Sequence, residues 1–145
     1  MQPRRVALIL LPLLVVGASA CSTLGFQDSE FVFQESQRHY TQYIRWERFD
    51  AAVTFVDPKA VRDFRSQIAS LADVRFTDYA VHGTEMGPDG QTAVVHVTYY
   101  AYLQSSPVAL ALDEEQHWHK VEGEREWRVR SSFAQRALQP GEGML

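Results

Sequence analysis

The chain has 145 residues, 46% of them hydrophobic, a formal net charge of −4 and one cysteine. That length and apolar share suit one domain with its own core, and a lone cysteine excludes an internal disulfide. No Lys/Arg run exceeds two neighbours, which argues against a nucleic-acid partner and against electrostatic attachment to anionic lipid.

The N-terminus joins a basic pair, Arg4-Arg5, to an eleven-residue apolar run, Val6 to Val16, and then to Gly17, Ala18, Ser19 and Ala20. A basic end, a short apolar stretch and a small-residue exit are the anatomy of a secretory signal peptide. Eleven residues rise about 16 Å as a helix, roughly half a bilayer core, so a permanent membrane span is not expected. The box Ala18-Ser19-Ala20-Cys21 resembles the end of a bacterial lipoprotein signal peptide, with Ala18 where that family usually has Leu. The resemblance implies that residues 1–20 are removed and that Cys21 carries the lipid, palmitate included, at the start of the mature chain. It also implies that Ser22, rather than Asp, directs the protein to the outer membrane, facing the periplasm. Cleavage that leaves Cys21 as a free thiol is the plainer alternative. Without residues 1–20, which hold two of the arginines, 125 residues remain with 12 basic and 18 acidic side chains, a charge of −6.

Residues 21–28 read as the lipidated cysteine and a short tether, residues 29–135 as the folded domain, and 136–145 as a flexible tail. From Ser29, with Asp28 or Ser29 as cap, the pattern turns helical. Tyr40, Tyr43, Ile44, Phe49, Ala52 and Val53 mark one apolar stripe. Asp57-Pro58 is a second start signal, a capping acid followed by proline, and Val61, Phe64, Ile68 and Leu71 share one face. Beyond Asp73 the period falls to two. Val74–Gly83, Gln91–Leu103, Val108–Val121 and Arg125–Phe133 are predicted strands, with a turn at Gly87-Pro88-Asp89-Gly90. A two-residue hairpin at Glu122-Gly123 would set Trp118 opposite Trp127. Helices followed by a meander of about four strands make an α+β domain.

Two local patterns, "RWERFDAAVTFVDP" (Arg45 to Pro58) and "HWHKVEGEREWRVRSSF" (His117 to Phe133), resemble the nuclear transport factor 2-like superfamily. That group includes SnoaL-type polyketide cyclases and ketosteroid isomerases. The resemblance implies a cone: a curved antiparallel sheet around N-terminal helices, a pocket at its open end, and dimerisation through the sheet. Function varies over such a scaffold, so none follows from the fold.

Catalysis would need an ionisable group held in an apolar pocket. Asp50, between apolar neighbours, with Tyr43 two turns earlier and Tyr99 on the long strand, is the candidate pocket. The plainer reading makes Asp50 a helix cap. His117 and His119 share a strand side with Glu115, and Glu126 would lie opposite His119. This set is weighed as a zinc site, but an exposed face of paired charges explains it better, so no metal or other cofactor is assigned. Along Gln91–Leu103 the odd positions from Ala93 to Leu103 are apolar. The even positions His96, Thr98, Tyr100 and Tyr102 are therefore expected on the outer sheet face as a candidate interface. The expected function is a membrane-anchored, non-catalytic binding module of the cell envelope. Its partner would be a second copy, an envelope protein or a small apolar ligand. The alternative is a small cofactor-free enzyme of the isomerase, dehydratase or cyclase type acting on an apolar ligand.

Overall fold

The structure is a computed structural model that describes residues 22–106 and 108–138, with side chains from Asp28 onward. Residues 1–21, with the expected signal segment and Cys21, lie outside the described residues. Helix α1 (Ser22–Arg45) is followed by a four-residue helix α2 (Phe49–Ala52), a 3₁₀ turn (Val53–Phe55) and helix α3 (Val61–Ser70). Strands β1 (Val74–Met86), β2 (Thr92–Leu103), β3 (Ala109–Lys120) and β4 (Trp127–Ala137) form one open antiparallel sheet in the order β1-β2-β3-β4. The α+β class is thus as expected, and no described helix is long and apolar enough to cross a membrane.

Residues 22–28, expected as a tether, are the first turns of α1. Phe33, Tyr40 and Ile44 are its buried contacts, at i, i+7 and i+11 on one face. The stripe was expected to run on through Val53, but the helix stops at Arg45. Its end is a Schellman motif: the Arg48 N–H donates to the Tyr43 carbonyl (2.8 Å) and the Glu47 N–H to the Ile44 carbonyl (3.0 Å). Glu47 takes the left-handed position, φ 55°, that glycine usually fills. Phe49 and Ala52 therefore belong to α2. Asp57 does accept the Lys59 N–H at 2.8 Å, but a turn intervenes and α3 begins at Val61.

All four strands are present, and β4 extends to Ala137, into the expected tail. The hairpin register differs by two residues. Val121 and Glu126 close a four-residue loop with Gly123 at φ 76°, so Lys120 faces Trp127 and Trp118 faces Val129. The longer loop removes the repulsion of Lys120 against Arg125. Both tryptophans still reach the inner side, where the Phe33 ring lies 5.9 Å from Trp118 and 4.9 Å from Trp127. On β2 the odd positions Ala93 to Ala101 are buried, as their alternation requires.

Candidate functional site

The interior of this small domain holds a carboxyl group. On β3 the even positions face inward, so Glu114 and Gln116 share the buried side with Leu110, Leu112 and Trp118. Glu114 is 1% exposed. The Tyr40 hydroxyl donates to its Oε1 (2.7 Å), while the Tyr99 hydroxyl (2.9 Å) and the Gln116 amide (2.6 Å) donate to Oε2. Tyr40 also lies 2.9 Å from Ser131 Oγ. Gln116 sends its other N–H to Thr41 (3.1 Å), and its carbonyl oxygen accepts from the Trp118 indole (3.0 Å). Helix α1, strand β2 and β3 itself thus deliver donors to a single carboxylate.

Burial pushes the Glu114 carboxyl up, the donated hydrogen bonds pull it back, and the net direction is upward. Tyr40 and Tyr99 are raised well above the usual phenol range by burial and by the nearby Glu114 charge, so both stay neutral donors. The two hydroxyls and the amide occupy both carboxylate oxygens. Such a network stiffens a core when every member is satisfied. It leaves the carboxylate no open approach for a reacting atom.

The outer face carries a polar row that crosses all four strands. His82 Nε2 on β1 lies 2.8 Å from Thr98 Oγ1 on β2. The Thr98 hydroxyl donates to Asp113 Oδ1 on β3 (2.6 Å), and Arg136 Nε on β4 donates to Asp113 Oδ2 (2.7 Å). With His96 and Glu115, this row lines an open cleft of about 500 Å³. Thr98 is 3% exposed and gives its proton to Asp113, so it props the row and is not presented as a nucleophile.

The expected pocket residues do not come together. Tyr99 belongs to the Glu114 network. Tyr43 packs against His39 and Phe55, with the Arg48 guanidinium 5.3 Å from its ring centre. Asp50 is exposed, and α2 has no side-chain cap hydrogen bond, so Asp50 is neither the pocket acid nor the cap. The candidate interface does share one face: His96 and Tyr102 are exposed, Tyr100 is half-buried, and Thr98 is the buried prop between them.

The two histidines of "HWH" also stand outside. His117 bonds to Glu115, and His119 lies 3.5 Å from Asp57, which Arg130 holds at 2.8 Å. Burial pushes Asp57 up, but the Lys59 N–H and the Arg130 guanidinium outweigh it and hold the carboxyl below its usual range. Arg128, not Glu126, faces His119. No group of three or more metal-ligating side chains is found among the described residues. The residues that sequence reasoning missed are Glu114 and Gln116, with Tyr40, Thr41 and Ser131 around them. The parity that marks Leu110, Leu112 and Trp118 as inward marks the first two as well.

No protein-family model matches the chain, and no curated protein matches it significantly. Among solved structures, the chain is similar to a SEC-C motif containing protein from Rhodopseudomonas palustris, determined in solution, with a TM-score of 0.52 and 16% identity. The likeness covers 72% of this chain and 77% of that one, and it is a likeness of fold alone. It overturns the resemblance to the nuclear transport factor 2-like superfamily, and the activities of that group carry no weight for this chain. The resemblance to a lipoprotein signal peptide likewise gains no support from any of these comparisons.

Proposed function

We propose that the chain is a non-catalytic binding module of the cell envelope whose recognition surface is the outer face of the sheet. One observation carries this reading: Glu114, the most deeply buried carboxyl group among the described residues, has both oxygens engaged by protein donors. The open polar cleft lies on the opposite side, among His82, His96, Asp113 and Arg136. Tyr102, 42% exposed, extends that surface with a large ring. Rings of this kind bring contact area at low entropic cost. The sheet is proposed to bend around the helices as an open cone. The register shifts in β1 at Phe76/Asp78 and Val81/Gly83 support that, because bulges bend and twist a strand.

Attachment through Cys21, at the outer membrane and facing the periplasm, is part of the proposal. It rests on the residues of 1–21 alone: the basic pair, the apolar run and the small residues before the cysteine. Palmitate labelling that is lost in Cys21→Ala is the expected result, and unlabelled wild-type protein would remove the anchor from the account.

A photo-crosslinking residue at His96 of the full chain tests the recognition surface. A discrete adduct, either a second copy or one other envelope component, is expected, and Tyr100→Ser with Tyr102→Ser should suppress it. The same crosslinker at Asp50 is the control, and equal adducts at both positions would refute the outer-face reading. The competing class, a cofactor-free enzyme, has one observation in its favour: a raised carboxyl flanked by two tyrosines. It requires Glu114 to exchange a protein donor for a substrate.

A further inference from the structure

A groove runs between the N-terminal half of α1 and the β3–β4 hairpin, away from both the Glu114 network and the outer cleft. Its larger compartment, about 550 Å³, is lined by Val32, Ser36, Phe55, Trp127 and Arg128 among others. A smaller one of about 160 Å³ holds Asp28, Ser29 and Lys120. Val32 and Arg125 border both, so the two compartments adjoin. The larger volume is within the range of small-molecule sites.

Two buried side-chain groups lack a hydrogen-bond partner among the described residues, and each belongs to a residue that lines one of the two compartments. They are the Trp127 indole N–H, in a residue 2% exposed, and the Ser29 hydroxyl, in a residue 9% exposed. Buried donors are nearly always paired, so two orphans beside one groove point to an acceptor from outside the chain. The rim adds charge. Lys120, which faces Trp127 across the ladder, has no carboxylate within ion-pair distance among the described residues. Arg125 meets Asp28 at 3.2 Å, but both side chains are largely exposed and solvent screens the pair.

We propose that this groove binds a single-chain carboxylate amphiphile of the fatty-acid class. Its alkyl chain lies along Val32, Phe55 and Trp127. Its head sits where the compartments meet, the two oxygens taking up the Trp127 N–H and the Ser29 hydroxyl, with the charge opposite Lys120. The site is separate from the outer-face surface and stands or falls without it.

The test is calorimetric titration of the full chain with sodium decanoate, with decanol as the uncharged comparator. Saturable one-to-one binding is expected, tightening by up to about fourfold per methylene from octanoate to dodecanoate. Trp127→Phe, which keeps an aromatic ring but loses the N–H, should weaken decanoate binding about tenfold. Lys120→Gln should weaken decanoate and leave decanol unchanged. Ser29→Ala should weaken decanoate severalfold while the urea midpoint holds or rises, because the hydroxyl removed has no partner to lose. Where Trp127→Phe does not fold, Ser36→Phe fills the larger compartment and must abolish binding. Absence of saturable binding would overturn the proposal. So would a Trp127→Phe or Ser36→Phe protein that binds as tightly as wild type, or a Ser29→Ala protein with a lowered midpoint.

Discussion

A carboxylate taken out of water costs several kcal/mol unless its neighbours supply donors, and Glu114 receives three, from Tyr40, Tyr99 and Gln116. Glu114→Ala takes the acceptor from all three in a dry interior, where each unsatisfied group costs about 1–3 kcal/mol, although Tyr40 keeps Ser131. We expect a loss of about 3–5 kcal/mol in urea unfolding, more than for Tyr99→Phe, which removes one donor at about 2 kcal/mol. The two buried acids oppose each other with pH. Glu114 is raised on folding, so its contribution is full below the unfolded carboxyl value and is lost as pH rises through the folded one. Asp57 is lowered, so its contribution is present above the unfolded value and is lost as pH falls through the folded one. Stability measured against pH should therefore fall less on the alkaline side of about pH 4.5 in Glu114→Gln. Asp57→Asn should instead fall less on the acid side of about pH 4. Identical profiles for both variants and wild type would refute the assignments. At this scale the sequence was half legible. The alternation of β3 contained Glu114, but an acid is read as solvent-facing by default, and its donors come from Tyr40 and Tyr99, 74 and 15 residues away.

Among the elements, α1 ends where the chemistry of its last turn allows, and the apolar stripe does not show it. Glu47 holds a left-handed conformation that costs a non-glycine residue about 1–2 kcal/mol. Its one ion pair among the described residues, to Arg75 at 3.7 Å, is partly exposed and worth little. Glu47→Gly should therefore be neutral or stabilising by up to about 1 kcal/mol. Glycine placed in the helix at Gln42, by contrast, should destabilise by about 1 kcal/mol. Thermal melts of the two variants decide it, and a clear loss for Glu47→Gly would contradict the motif. Without a glycine at the end of α1, the stripe from Tyr40 to Val53 reads as unbroken. The β3–β4 register was misread for a similar reason. Glu122-Gly123 suggests a two-residue turn, but Gly123 is one member of a four-residue loop. Strand positions were legible because alternation survives a change of loop length by two, which preserves the inward face.

For the whole molecule, the order of helices first and four strands after them followed from the change of period near Asp73, and the sheet is a simple meander. Which sheet side is enclosed followed from β2. What the enclosed side contains, and the row from His82 to Arg136 on the other, depend on contacts between strands far apart in the chain, which no local pattern encodes. The domain divides accordingly into a closed polar core that holds the sheet to α1 and an outer face that we propose as the recognition surface. Native mass spectrometry of the full chain recovered from its own cells tests this most directly. The account predicts a species heavier than one chain, by a second copy or one defined partner, that collapses to the single chain in the Tyr100→Ser, Tyr102→Ser protein. A bare monomer for wild type, or a complex indifferent to both tyrosines, would contradict it.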